Sequence, residues 1–523
     1  TGSGFLLDFM PVHRYLPSPR NPMQNTGFQG VVRILQCTRG RLGFEMECRP
    51  RFDYGKIVPH SSLSNPNTGI AHGGSDAVSV YCSAGLSMVN EAFQADGEIL
   101  EGGKLYATVS NQMSCSHSPE PLHSTELEKE LADTAAFWEA WAAMCTFQGE
   151  HHEAVLRSAL TLKALTYAPS GGLVAAPTTS LPEAIGGERN WDYRYTWIRD
   201  ATFAIYALSI IGYTEEGRDF KDWLERNTSG EAADLQVMYG LGGERNLKEL
   251  EIPELDGYRL SRPVRIGNRA YSQFQLDIYG EIMDSAHIFR KFGGAVDSEY
   301  WEYLRKVVNF VIDHWNEPDE GIWETRGGRE HFVFSKVMCW VALDRAIRAA
   351  TDLGLPGDIE QWKEVREKIQ VEILDKGYSQ EKGAFVQSYG SRNLDASSLM
   401  MPLVGFLPAT DEKMESTIRA IQAELTSPKG FVYRYKDFDD GLDGTEGSFI
   451  ICTFWLADNL IQLGEIDAAR KVFDSAMTCA NDLGLLSEEF DTETGEMLGN
   501  FPQAFSHLAM INTAVHLQEA ADG

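Results

Sequence analysis

The chain has 523 residues, which at roughly 150 residues per domain suggests two to four domains, or one large domain with an appendage. It carries 46 Lys and Arg against 76 Asp and Glu, a formal net charge of −30, which argues against nucleic acid and anionic membrane as partners because both demand a basic surplus. Hydrophobic residues make up 43% and charged residues 23%, an ordinary globular balance that makes disorder and coiled coil poor readings of the bulk of the chain.

The longest nearly apolar run, Ala201 to Tyr213, falls short of the about 20 residues that a membrane span needs, so a soluble protein is expected. Eight cysteines (37, 48, 82, 115, 145, 339, 452 and 479) are scattered without a C-x-x-C pair or a Cys/His cluster at metal spacing. They read as buried small hydrophobes in a reducing compartment, and with no visible signal peptide the cytoplasm is favoured. Asn227-Thr228-Ser229 is a single Asn-x-Ser sequon of little weight.

In chain order, residues 1–124 behave as an antiparallel β domain. Leu42, Phe44, Met46 and Cys48 alternate with Gly43, Glu45, Glu47 and Arg49, the period of two of a half-buried strand. Val78, Val80 and Cys82 alternate similarly, and 105–109 is a further β-like run, with turns at Pro66-Asn67-Thr68-Gly69 and Gly73-Gly74. At Thr125 the pattern changes. Thr125-x-x-Glu128 suits a capping box, followed by Leu127, Leu131, Ala135, Trp138 and Ala142 at helical spacing, which predicts a helical linker over 125–148.

Helical signals dominate 149–523. Stretches near 151–167, 199–213, 215–226, 272–292, 298–315, 335–352, 359–375, 395–405, 411–425, 449–463, 466–483 and 503–519 make about a dozen helices in successive αα-hairpins. Six hairpins can close into an (α/α)6 barrel whose loops build a cleft at one end. An open helical repeat gives a similar pattern.

Four loops carry the candidates for chemistry. Arg189 to Asp200 interleaves Trp191, Tyr193, Tyr195 and Trp197 with Arg and Asp, suited to sugar rings and vicinal hydroxyls, or equally to a structural ion-pair loop. In Gly321-Ile322-Trp323-Glu324-Thr325-Arg326-Gly327, a carboxyl packed against an indole would have its proton affinity raised and could act as a general acid; an exposed turn glutamate is the plain alternative. In Ser487-Glu488-Glu489-Phe490 one carboxylate can face a cleft while the other meets solvent, or both lie on a solvated face. Arg434, between Tyr433 and Tyr435, either contacts substrate or pairs with Asp439 or Asp440. Together they suggest a carboxylate pair in an aromatic cleft, the requirement of glycoside hydrolysis.

Ala176 to Glu183, Asn190 to Tyr195, Trp197 to Asp200, Gln275-Leu276-Asp277-x-Tyr279-Gly280, Ser335 to Met338, Trp340 to Arg345, Glu446 to Phe449 and Gly499 to Gln503 resemble glycoside hydrolase family 15, which contains glucoamylases, glucodextranases and a group of trehalases. The resemblance covers essentially 150–520. It implies a mainly α fold: an (α/α)6 barrel catalytic domain preceded by an antiparallel β-sandwich, here incomplete at its front, and a helical linker. It also implies Glu324 as general acid, Glu488 as general base, Arg199, Asp200 and Arg434 as ligands of the non-reducing glucose, Trp197 and Tyr195 as walls, and Trp191 and Trp323 as further pocket residues. Glu489 stands where many glucoamylases have Gln, and would place a like charge beside the base. Thr325 after the acid is a further departure.

The resemblance implies inverting chemistry with carboxyls about 6.5–9.5 Å apart, no metal and no cofactor. The partners expected are small neutral α-glucosides or α-glucan, and an oligomer is compatible. Exo-acting glucoamylase-type release of β-D-glucose from α-1,4 or α-1,6 glucosides is the first expectation and trehalose hydrolysis the second. A catalytically silent glucan-binding or regulatory protein is the reading from another class.

Overall fold

A computed structural model describes residues 2–12, 28–113, 124–178, 181–228, 230–436, 438–442 and 444–522. Cys115, Thr179, Ser180 and Ser229 lie outside the described residues. The chain forms two compact units, Thr1–Met144 and Cys145–Gly523. No helix among the described residues is long and apolar enough to cross a membrane. Of the seven described cysteines, all free, six are buried and Cys48 is half-buried.

The first unit is an antiparallel sheet of β1 (Gly2–Phe9), β2 (Gly30–Cys48), β3 (His60–Asn65), β4 (Thr68–Gly73), β5 (Asp76–Cys82), β6 (Ser87–Val89), β7 (Ala92–Leu100) and β8 (Lys104–Met113). Its order is β3-β4-β5-β8-β2-β7-β6, with β1 also on β2. The 19-residue β2 is its spine. The first part of β2 pairs with β8 (Val31 with Val109) and the last part with β7 (Phe44 with Gly97). The alternation read over 42–48 is visible there: the apolar side chains are half-buried and Gly43, Glu45 and Glu47 are exposed.

Helix α1 (Ser124–Ala142) belongs to this unit and ends six residues before the predicted 148. Leu127 is fully buried with Val32 and Ile34, and Leu131 packs on the same cluster. Glu128 does not serve only its own helix end: its Oε1 accepts from Lys104 Nζ at 2.6 Å and from the Tyr106 hydroxyl at 2.7 Å on β8. A charged hydrogen bond to the sheet competes with the local capping bond that the spacing suggested.

The second unit holds twelve α-helices among the described residues: α2 (His152–Leu165), α3 (Ile198–Ile210), α4 (Glu215–Asn227), α5 (Asp277–Lys291), α6 (Ser298–His314), α7 (Val333–Leu353), α8 (Ile359–Glu372), α9 (Met400–Leu403), α10 (Glu412–Glu424), α11 (Ile450–Gln462), α12 (Ile466–Met477) and α13 (Ala504–Asp522). Each lies within a stretch read as helical or within two or three residues of one. Two kinds alternate. Helices α3, α5, α7, α11 and α13 are buried along most of their length, whereas α4, α6, α8, α10 and α12 bury one stripe. The buried set packs in succession, α3 on α5, α5 on α7, α7 on the turn Ala396–Leu399 that leads into α9, that turn on α11, α11 on α13, and α13 on α3.

Helix α12 stops six residues short of the predicted 483. Asn481 Oδ1 there accepts from the N–H groups of Leu483 and Leu485, both at 2.9 Å, and Gly484 takes a positive φ of 74°. That turn redirects the chain so that Leu486–Glu488 run inward. At the same end of the unit lie the first turns of α3, α11 and α13 and the loop before α7.

Asp319, fully buried, ties this end together. Its Oδ2 accepts from Leu276 N–H at 3.0 Å, just before α5, and from Ser335 Oγ at 2.7 Å in α7. Asp319→Ala strands both donors, each worth about 1–3 kcal/mol when buried without a partner. The urea midpoint of the second unit is therefore expected to fall by the equivalent of about 2–6 kcal/mol, read from equilibrium unfolding.

Candidate active site

The short strand Thr196–Trp197 pairs with Met238–Tyr239 and delivers Arg199 and Asp200 into the first turn of α3. Ser448–Phe449 pairs with Glu489–Phe490, which pairs with Met497–Leu498, so Glu488 enters on a three-stranded ladder. Its backbone is held on both sides, Glu488 N–H to Asn500 O at 3.1 Å and Ile450 N–H to Glu488 O at 3.1 Å. Glu324 comes from the loop between α6 and α7. These segments meet around an inner cavity lined among others by Tyr193, Trp197, Arg199, Asp200, Trp323, Glu324, Arg434, Glu488, Gln503 and Phe505. An outer cavity shares Tyr193, Trp323, Glu324 and Arg434 with it and adds Glu183, Arg189, Trp191, Gln273, Arg326 and Tyr435. Glu324 lines both; Glu488 lines only the inner one.

Glu324 has a φ of +59°, a left-handed conformation that costs a non-glycine residue roughly 1–2 kcal/mol. Its Oε1 accepts from Trp197 Nε1 at 2.6 Å and lies 3.5 Å from Arg199 Nη2. The indole that touches this carboxyl is thus Trp197, not the adjacent Trp323. The Trp323 N–H goes to Asp395, 2.9 Å from Oδ1 and 3.0 Å from Oδ2. Burial pushes the Glu324 carboxyl up, opposed by Arg199, the Trp197 N–H and Arg434.

Glu488 is 2% exposed and its Oε2 accepts from Asn500 N–H at 3.1 Å. Burial pushes it up to about 7, against the pull of Arg434, the Asn500 N–H and Tyr193. Gly499 is required beside it: its φ is +69°, and a Cβ there would lie 2.5 Å from Glu488 Oε2. Asp200 is pushed up to about 7, first by burial, with Arg199 pulling it down from 3.8 Å. Arg199 donates to Ile322 O at 2.6 Å, and its guanidinium lies 5.1 Å from the Phe505 ring centre.

Arg434 meets neither Asp439 nor Asp440. It lies 2.7 Å from Glu446 Oε2, 3.4 Å from Glu183 Oε2 and 3.5 Å from Glu489 Oε1, over the rings of Phe449 and Trp323. Asp440 is bound instead by Arg189, at 2.8 and 3.1 Å, and by the Tyr435 hydroxyl. Glu489 does not reach solvent: it is fully buried, accepts Gly447 N–H at 2.9 Å, and is pushed well above the carboxylate range by burial beside Glu183 and Glu446. It stands against Arg434, inside the unit rather than on a solvated face.

Of the residues singled out from the sequence, Trp197, Arg199, Asp200, Trp323, Glu324, Arg434 and Glu488 line the inner cavity and Trp191 the outer one. Guanidiniums lie against the Trp191 ring, Arg326 at 4.5 Å and Arg265 at 4.9 Å. Tyr195 lines neither cavity, and its hydroxyl donates to Asp192 at 3.3 Å. Tyr193 takes the wall position, packed edge-on against Trp197 at 5.1 Å. Gln503 and Phe449 stand out in the sequence only as parts of motifs, and Phe505 belongs to none. Nothing in composition or spacing separated them from ordinary helix-start residues.

A family model described as Glycosyl hydrolases family 15 matches residues 149–515. The chain belongs to that family. It is a glycoside hydrolase, an enzyme rather than a silent sugar-binding protein. A relative named trehalase from Mycolicibacterium smegmatis is 41% identical over 96% of this chain and 76% of its own length. Another so named, from Thermoplasma volcanium, is 40% identical over 98% and 80%. A solved bacterial glucoamylase complexed with acarbose aligns with a TM-score of 0.68 at 15% identity, over 93% of this chain and 77% of that one, and shows the shared fold.

Gly499→Ala tests the packing around Glu488. Displacing a reacting group by about 1 Å costs about 100-fold in rate. A loss of at least that order in kcat is expected with an unchanged circular dichroism spectrum.

Proposed function

We propose that this enzyme is an inverting trehalase, with Glu324 as general acid and Glu488 as general base. The glucoamylase-type specificity expected from the sequence is corrected by the relatives: those 40–45% identical over most of the chain are named trehalase. The observation that carries the roles is the shared wall. Glu324 stands where the two cavities meet, the place of an oxygen linking one sugar in each, while Glu488 reaches only the inner sugar. Two adjoining cavities suit a disaccharide of two glucose units. The packing succession that returns from α13 to α3 supports a closed (α/α)6 barrel, with the site at the end where its inner helices begin.

In the proposed step Glu324 gives its proton to the bridging oxygen as the C1–O bond of the inner glucose breaks. Water attacks C1 from the opposite face and Glu488 takes its proton. Arg199 and Asp200 hold hydroxyls of the inner ring, and Trp197, Tyr193, Trp323 and Phe505 wall it. The outer glucose leaves with its configuration unchanged. One-to-one α- and β-glucose is therefore the expected initial product in an NMR time course, and initial formation of α-glucose alone would overturn the mechanism. Glu324→Gln and Glu488→Gln are each expected to lower kcat on trehalose by orders of magnitude while leaving the thermal midpoint near that of the parent.

The pH profile follows from the same burial. The base must be ionised, and its proton affinity is raised to about 7, so activity falls as pH drops through that region. The acid must be protonated, and its raised affinity keeps the proton on beyond the ordinary carboxyl range, so activity falls again at higher pH. The bell of kcat/KM belongs to the pair. Both limbs are expected above pH 4.5, the usual value for a free glutamate side chain.

A further inference from the structure

The proton donor sits on a strained turn, and the backbone bonds of that turn do not by themselves explain its hold. Glu324 N–H reaches Gly321 O at 3.2 Å, Thr325 Oγ1 reaches Glu320 O at 3.1 Å, and Arg326 N–H reaches Asp440 O at 2.8 Å. None of these engages the carbonyl of the left-handed residue or that of Thr325 after it. Both are taken by one side chain from another segment. Gln273, in the approach to α5, donates from Nε2 to Glu324 O at 3.1 Å and to Thr325 O at 3.2 Å. Its amide orientation is fixed in turn, because its Oε1 accepts from Gln275 Nε2 at 2.9 Å and Gln275 is buried. A carbonyl in that place could not accept from Gln275 and also donate to the turn.

We propose that Gln273 is a positioning residue for the general acid: its amide clamps two successive carbonyls and so keeps the Glu324 carboxyl at the junction of the two cavities. The inference rests on Glu324 being the proton donor. Strained backbone persists only where its surroundings over-determine it, and the Gln273 amide with its buried partner adds two bonds from another segment to those made around the turn. Gln273 also borders the outer cavity, so the clamp lies beside the bound sugar without displacing Trp197 or Arg199 from the carboxyl.

The test uses the full chain and two variants that remove the donor while keeping the length, Gln273→Met and Gln273→Glu. Two substrates separate positioning from stability. Trehalose needs its leaving oxygen protonated; α-D-glucosyl fluoride releases fluoride without that help. A misplaced acid predicts a loss of about 100-fold in kcat on trehalose, KM within a few-fold, and a much smaller loss on the fluoride, the same selective pattern as Glu324→Gln. A basic limb of the pH profile that moves in both variants would support it further. Equal losses on both substrates, no loss on either, or failure of both variants to fold would overturn the proposal. If the parent enzyme leaves trehalose intact, the substrate reading falls instead, and the same ratio is read with maltose as the unactivated substrate.

Discussion

Around two guanidinium groups, Arg189 and Arg434, the second unit gathers more buried carboxyls than two positive charges can neutralise. Asp440 and Glu446 pair with Arg189, and Glu446, Glu183 and Glu489 crowd Arg434. Buried charge is expensive, so burial raises the proton affinity of these acids while the guanidiniums lower it. Glu183 is pushed up to about 8 and Glu489 well beyond the carboxylate range, both first by burial. Beside that cluster stands Glu488, with its own affinity raised but with a backbone N–H and Arg434 favouring its ionised state. The proposed acid and base are thereby embedded in a region whose carboxyls differ in proton affinity.

The same arrangement suits an uncharged substrate. A sugar brings hydroxyls and no ion, so it meets the fixed pairs as hydrogen-bonding partners rather than disturbing their balance. The chain's large negative charge offers no field for such a ligand to follow and none to resist it. In the outer cavity Arg189, Arg326 and Gln273 are each committed to a protein partner and so present fixed directions to a ligand.

Much of this was legible in the sequence. Helical periodicity marked the segments that became α2–α13, because amphipathic stripes and near-continuous apolar runs report directly on burial. Boundaries were less visible where a side chain overrides the pattern, as Asn481 does when it closes the turn after α12 and Glu128 does when it turns toward β8. The Arg199-Asp200, Trp323-Glu324 and Ser487-Glu488 segments stood out by composition, and their convergence needed the family resemblance because they lie on separate loops. Partner choice was not legible. Which indole touches Glu324, which acids surround Arg434 and whether Glu489 meets water depend on segments more than a hundred residues apart in several cases. Tyr195 and Tyr193 look alike in the sequence; the bend at 195 decides between them. The glucoamylase-type expectation gave way to the relatives named trehalase, and the outer-cavity residues come from loops that carry no periodic signal.

The two acidic side chains are mounted differently. Glu488 rides on a ladder bonded to the first residue of an interior helix, whereas Glu324 occupies a turn secured from outside by a side-chain amide. One is bolted to the frame and the other hangs on a bracket. In the proposed roles, sequence drift in 321–330 shifts the reach of Glu324 by small steps while Glu488 stays put, which gives lineages a route to new leaving groups without rebuilding the helical scaffold.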